Sequence, residues 1–253
     1  MFCLLKIAYD DTFHGFQIQP DVRTVQGEIL KAITPLGITR VLSSSRTDSH
    51  VRSAATIIEV EFDDALKLCR IIDSIDGIAV TSYSTSESFL NLRSRIKKEY
   101  WYISPLHTDE AKLSKAIGEF LEGNISNFSR DRTKKVMLET ISDVSGETFT
   151  LLKFLGKSFS WNFVRIAAES ILRRSLGQVT DEDWDDMLHG KKYSRFKGSP
   201  ENLILVDVKT DLAFTSYESK KIQKIRASTL AQVAWSHFVD SSTLEFVRKV
   251  FPP

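Results

Sequence analysis

Apolar positions recur along this chain with two periods, and the period changes often. Residues 4–9 form a short, mostly apolar run that predicts a strand. Val25, Ile29, Ile33 and Leu36 then fall at helical spacing, so 24–36 reads as an amphipathic helix with Thr24 as its N-cap. A short apolar strand is expected at 38–42. From 56 to 62 the period drops to two: Ile58, Val60 and Phe62 share one face, and Glu59 and Glu61 share the other. That alternation predicts a half-buried strand in an antiparallel sheet with one open face. Leu68, Ile72 and Ile75 restore a helical stripe over 64–75. Two more strands are expected near 78–83 and 99–104.

Pro105 and the polar run His107-Thr108-Asp109 mark a boundary. Beyond it, Leu113, Ile117, Phe120 and Leu121 line a helix that stops at Gly123. Residues 135–145 and 147–155 read as a hairpin turning at Ser145-Gly146-Glu147. A long helix is expected over 160–176, closed by Gly177. The next begins at Thr180, where Asp183 completes a capping-box-like pair and Val179 can staple against Trp184. Residues 203–209 give another strand, and helix propensity returns after Thr229. This order predicts an α+β fold in two halves, 1–104 and 105–253, each an antiparallel sheet backed by helices.

Composition narrows the class. Of 253 residues, 42% are hydrophobic and 26% charged, which excludes a disordered chain, a fibre and a disulfide scaffold. Lys and Arg total 34 against 33 Asp and Glu, so the chain is not a wholly basic, histone-like protein. Local cationic clusters remain: Arg93, Arg95, Lys97 and Lys98; Arg130, Arg132, Lys134 and Lys135; Lys191, Lys192, Arg195 and Lys197. Each alone reads first as a solvated face. Cys3 and Cys69 are the only cysteines, so no cysteine cluster can hold zinc. The run before Tyr9 has one basic residue and is too short for a signal peptide or membrane span. The expectation is a cytoplasmic protein with no membrane partner.

Three segments could carry chemistry. The five histidines, at 14, 50, 107, 189 and 237, lack metal-ligand spacing, and no phosphate-cradling glycine loop is present, so neither a metal nor a nucleotide cofactor is expected. Asp10-Asp11 reads as a turn. The first segment is Ser44-Ser45-Arg46-Thr47-Asp48-Ser49-His50-Val51, a polar loop between strands, where an Asp is by default a turn or cap residue. The second, Arg95 through Tyr102, leads basic residues into aromatics. On a strand, Tyr100 and Tyr102 share one face and Trp101 takes the other, which suits a backbone track beside a base-stacking platform, or simply a core strand with a charged approach. The third, Gly156 through Arg165, opens the long helix. Arg165 sits among Phe163, Val164 and Ile166, so it either finds a partner or snorkels to solvent.

These residues, in this order, resemble the TruA family of tRNA pseudouridine synthases. Tyr9 and Phe13-His14-Gly15-Phe16-Gln17-Ile18-Gln19-Pro20 open the likeness, followed by Thr24-Val25-Gln26-Gly27. Arg46-Thr47-Asp48 resembles the family signature around its catalytic aspartate. Lys98-Glu99-Tyr100-Trp101-Tyr102 resembles the segment whose first tyrosine packs on the target base. Gly156-x-Ser158-Phe159-x-Trp161 through Val164-Arg165 resembles the motif whose arginine pairs with that aspartate, and 200–208 resembles a late family strand. The likeness spans about residues 4–208. Departures are His50 where the family has glycine, Arg52 where it has histidine, Asn91-Leu92 where it has Ala-Arg, and Asn127-Phe128-Ser129 in place of a longer His-Asp-Phe segment.

The resemblance implies pseudo-symmetric halves facing across a cleft, the N-terminal one carrying the aspartate and the C-terminal one the arginine. It implies isomerisation of uridine to pseudouridine in the anticodon stem-loop of tRNA, at positions 38, 39 or 40, without a cofactor, by a homodimer. Asp48, Tyr100 and Arg165 would be catalytic, with Arg46, Arg93, Arg95, Lys97, Lys98 and Lys157 as RNA contacts. A carboxylate in a water-poor cleft needs a counter-charge, and a guanidinium fork suits it. Two rivals stand beside this reading: a catalytically idle RNA-binding protein on the same scaffold, and a small-molecule enzyme such as a glycosidase or phosphatase. A glycosidase needs a second matched carboxylate, and none lies near Asp48 in sequence.

Overall fold

The computed structural model describes residues 1–144 and 149–225. The turn expected at Ser145-Gly146-Glu147 and the helix propensity after Thr229 lie outside them.

Two halves follow one plan. In the first, β1 (Phe2–Tyr9) is flanked on either side by β3 (Arg52–Glu61) and β4 (Ile78–Ser86), both antiparallel to it. Helices α1 (Val25–Ile33) and α2 (Ala65–Ser74) form the connections, and β2 (Leu42–Ser43) adds a short pairing to β3. In the second, β5 (Lys97–Ser104) is flanked by β7 (Thr150–Ser158) and β8 (Leu203–Lys209), again antiparallel. Here α3 (Glu110–Glu122), α4 (Phe163–Ser175) and α5 (Asp181–Leu188) connect the strands, and β6 (Met137–Asp143) extends the edge beyond β7. β9 (Thr215–Ser216) returns to pair with β4.

The antiparallel sheets expected of the two halves join edge to edge into one continuous sheet, ordered β6-β7-β5-β8-β3-β1-β4-β9, with β2 beside β3. Both strands flanking a central one run against it, so they run parallel to each other. Setting two such units side by side makes the join β3–β8 parallel, with Arg52 opposite Ile204 and Ser53 opposite Leu205. β5, which closes the segment 1–104, hydrogen-bonds to strands of the segment 105–253.

Local chemistry accounts for the element ends. Thr24 accepts from Gly27 N at 3.2 Å and buries Val25, Ile29 and Ile33 on one stripe. The helix stops at Ile33 rather than at 36 because Pro35 continues only as a 3-10 turn, closed by left-handed Gly37. Asp64 caps α2 through Lys67 N at 2.8 Å. The face of β3 expected to be open is covered at Glu59, while Glu61 at the strand end is exposed. Glu59 is buried and accepts from Leu90 N at 2.7 Å, and burial raises its carboxyl pKa. The segment that covers it is distant in sequence, so alternation alone could not reveal it.

Candidate active site

Asp48 lies in the turn before β3, on a loop gripped by the segment after β1. Phe16 N donates to the Thr47 carbonyl at 3.2 Å, and His50 N to the Phe13 carbonyl at 3.1 Å. Gly15 holds φ +86, and a β-carbon there would stand 2.8 Å from the Thr47 oxygen and 3.1 Å from the Asp48 carbonyl carbon. The Phe13-His14-Gly15-Phe16 motif is thus the backing plate of the Asp48 loop. From beneath, the buried Tyr9 hydroxyl meets Thr47 Oγ1 at 2.9 Å.

His50 explains its own departure from glycine. Its φ is +62, the left-handed region in which glycine is at ease and a side chain costs about 1 kcal/mol. Its Nδ1 bonds the Asp11 carbonyl at 2.9 Å, and its ring meets His14 edge-on at 5.0 Å between centroids. Arg52, at the histidine position, is buried and pairs with Asp11 through Nη2 at 2.9 Å, while its Nε and Nη1 find no partner among the described residues. Asp11 is therefore an ion-pair partner as well as a turn residue.

The opposite wall comes from the start of α4. Arg165 is buried and does not snorkel: Nη1 reaches Asp48 Oδ2 at 3.2 Å, 117 residues away in sequence. The fork is not bidentate on the carboxylate as the sequence suggests, because Nε is spent on the Gly198 carbonyl at 2.8 Å. Gly198 N returns a bond to the Arg165 carbonyl at 3.1 Å. A β-carbon on Gly198 would strike the Tyr102 hydroxyl, so the close approach requires glycine. Asn162 donates its amide to the same Asp48 Oδ2. α4 begins at Phe163 rather than 160 because Asn162, at φ +59, is left-handed. The shortened segment at 127 also has a place. Phe128 is fully buried between Phe120 and Trp184, and Asn127 Nδ2 bonds the Met187 and Leu188 carbonyls. Arg130 N then donates to the Trp161 carbonyl at 2.9 Å, holding the start of α4.

Tyr100 stands on the same site, its ring edge-on to Phe159 at 5.2 Å. Burial, then Tyr9 and Asp48 nearby, raise its phenol pKa, so the hydroxyl is neutral at physiological pH. Trp101 faces the other way, into a separate cluster with Ile103 and Ile204, as strand alternation predicts.

The candidate RNA contacts divide by face. Lys98, on the Tyr100 face, donates to the Lys157 carbonyl at 3.4 Å, and burial with neighbouring Arg93 lowers its pKa to about 8. Partial desolvation, then the like charge of Arg46, lowers the pKa of Arg93, whose side chain still reaches solvent. Arg46, Arg93, Arg95 and Lys157 are exposed. Lys97 is on the opposite face, in a 2.8 Å ion pair with Glu139. Sequence reasoning missed Asn162 and Gly198, and left Lys197 in an undifferentiated cluster. Lys197 is exposed; partial desolvation lowers its pKa, with Arg165 and Arg130 adding to it and Asp48 opposing. Among the described residues, no group of three or more His, Cys, Asp and Glu could hold a metal, and no helix is long and apolar enough to cross a membrane.

Comparison with known proteins gives consistent relatives. The chain is 31% identical to tRNA pseudouridine synthase A of Pyrococcus abyssi over 238 residues, covering 87% of this chain and 89% of that one. It is 30% identical to tRNA pseudouridine synthase A of Picrophilus torridus over 226 residues, covering 86% of each. Identity to the protein of the same name in Methanosarcina barkeri is 34% over 198 residues, covering 71% and 72%. No protein-family model matches the sequence. A chain from a crystal structure of a Cbf5–Nop10–Gar1 complex aligns at a TM-score of 0.32 and 13% identity, covering 68% of this chain and 54% of that one, too slight a likeness to support any argument.

Proposed function

The chain belongs to the tRNA pseudouridine synthase A family, and from that premise we propose that it isomerises uridine to pseudouridine in tRNA, with Asp48 as the catalytic carboxylate. The observation that carries this reading is the meeting of Asp48, Arg165 and Tyr100 from three distant segments. Asp48 Oδ2 is held by Arg165 Nη1 at 3.2 Å, and the Asp48 charge adds, after burial, to the rise of the Tyr100 phenol pKa.

The uracil must leave the helical stack before its glycosidic bond can be reached. Tyr100 then supports the base, and its neutral hydroxyl acts as a hydrogen-bonding group rather than an anion. The carboxylate acts on the ribose, by attack at the anomeric carbon or by removal of a ribose proton. The C1′–N1 bond breaks, the uracil turns, C5 bonds to C1′, the C5 proton is lost to solvent, and N1 takes up a proton in its place. Product and substrate are isomers with the same heavy atoms and the same oxidation level, so the reaction calls for no cofactor. Arg46, Arg93, Lys98, Lys157 and Lys197 ring the cleft as phosphate contacts, and the target is a uridine of the anticodon stem-loop at positions 38, 39 or 40, handled by a homodimer.

Tritium release from 5-tritiated uridine in tRNA tests this directly. Asn is nearly isosteric with Asp and cannot ionise. Asp48→Asn should fold, bind tRNA at near-normal affinity, and lose about a thousandfold or more in rate. A folded Asp48→Asn within about tenfold of wild type removes Asp48 from the chemistry, a barrier change of only about 1.4 kcal/mol. Wild-type protein that binds tRNA yet releases no tritium is an idle binder on the same scaffold.

A further inference from the structure

Asn162 occupies the N-cap position of α4 but does not cap it. An Asn there normally accepts a bond from the second or third helical N–H, which steadies the helix start. Here the side chain makes no such bond, although the Asn162 carbonyl still receives the first helical N–H, from Ile166 at 3.0 Å. The backbone is left-handed, at φ +59, a region in which a residue with a side chain is strained relative to glycine. Both local costs fall on a residue that is only 7% exposed, and its amide is aimed across the cleft at Asp48 Oδ2. A carboxylate only accepts, so the amide nitrogen is the atom that faces it.

Arg165 Nη1 binds the same oxygen. Two donors from one wall converge on Oδ2, and no donor among the described residues is bonded to Oδ1. We propose that Asn162 is a positioning residue: together with Arg165 it fixes the Asp48 carboxylate about its last torsion and presents Oδ1 as the oxygen that meets the ribose. Arg165 alone gives one contact at 3.2 Å, about which a carboxylate can still rock. The second donor on the same oxygen restricts that rocking. This inference rests on the reading of Asp48 as the catalytic group.

Asn162→Gly separates the two roles of this residue. Glycine accepts φ +59 without strain, so the helix start survives while the amide donor is lost. With tRNA carrying 5-tritiated uridine, kcat should fall about 10- to 100-fold, with KM, tRNA affinity and melting temperature close to wild type. Asn162→Asp is a second variant that tolerates the left-handed backbone and is nearly isosteric, but it faces Asp48 with a like charge; its kcat should fall further than that of the glycine variant. A residue needed only for the turn gives the opposite pattern, with wild-type kcat in Asn162→Gly. That result, or a loss confined to KM or to melting temperature, overturns the inference while leaving the Asp48 reading intact. If Asn162→Gly does not fold, wild-type kcat in Asn162→Asp overturns it equally. Wild-type protein that releases no tritium overturns the Asp48 reading, and the positioning role falls with it.

Discussion

The two walls that meet at Asp48 are held by different means. The loop bearing Asp48 is fixed largely through main chain: the Thr47 and Phe13 carbonyls, the bare Cα of Gly15 and a left-handed His50. The wall opposite, 156–165, meets it through side chains, the amide of Asn162 and the guanidinium of Arg165. Main-chain anchoring sets where a loop lies and tolerates varied side chains, as His50 and Arg52 illustrate. Side-chain anchoring sets charge and orientation, and one substitution erases it. Changes on the first wall should therefore be read in stability, and changes on the second in turnover.

Arg165→Met provides the largest contrast. Removing a buried guanidinium leaves the Asp48 carboxylate with Asn162 alone, at a cost on the order of 2–4 kcal/mol, divided between activity and stability. Turnover should take the larger part, and Arg165→Lys should recover little, since an ammonium cannot serve Asp48 and the Gly198 carbonyl with fork geometry. A wild-type rate in Arg165→Met would break the contrast. Gly15→Ala should lower stability by about 1–3 kcal/mol, from left-handed strain plus a contact 2.8 Å from the Thr47 oxygen, with turnover recovering as temperature is lowered. Urea melts beside single-turnover rates check this. A stable but inactive Gly15→Ala would reverse the assignment.

How much of this was legible in the sequence follows from the range of each interaction. α1 was readable because Val25, Ile29, Ile33 and the Thr24 cap lie within one short segment. The two faces of β5 were readable because alternation is local. The cover over Glu59, the parallel join of β3 to β8 and the Gly198 approach to Tyr102 each link residues far apart, and no periodicity encodes them. The ordered motifs identified Asp48, Tyr100 and Arg165 as a set. Asn162 is not legible in the sequence, because an Asn before an apolar helix reads as an ordinary cap, and only its φ and its reach across the cleft distinguish it.

The charged fringe yields a smaller effect. Lys98, with its pKa lowered to about 8, is cationic below that pH and neutral above it. Lys98→Ala should reduce the salt slope of tRNA binding by roughly one unit at pH 7, and the difference from wild type should shrink as pH rises through 8. Lys97→Ala, which loses a partner on the far face, should leave the slope unchanged. Filter binding at several salt concentrations and two pH values reads both. The same lowered pKa makes the buried ammonium a stability cost. That cost is full below pH 8 and fades towards pH 10.5, so the apolar Lys98→Met should melt higher than wild type at pH 7. The smallest effect is expected at His50. His50→Gly relieves about 1 kcal/mol of backbone strain and loses a hydrogen bond of similar worth to Asp11, so stability should move by less than ~0.5 kcal/mol. A large loss there would mean the histidine side chain, not the main chain, holds that end of the loop.

The 117 residues that separate Asp48 from Arg165 also set an order in time. A ribosome adding ~5–20 residues per second delivers the carboxylate about 6 to 23 seconds before its guanidinium partner, and the Gly198 carbonyl later still. During that interval the emerging first half has β1, β3 and β4 to fold upon, but its acid faces water with no counter-charge. On the proposed reading of Asp48 as the catalytic carboxylate, a nascent chain should stay inert towards RNA until the segment carrying Arg165 and Gly198 has docked.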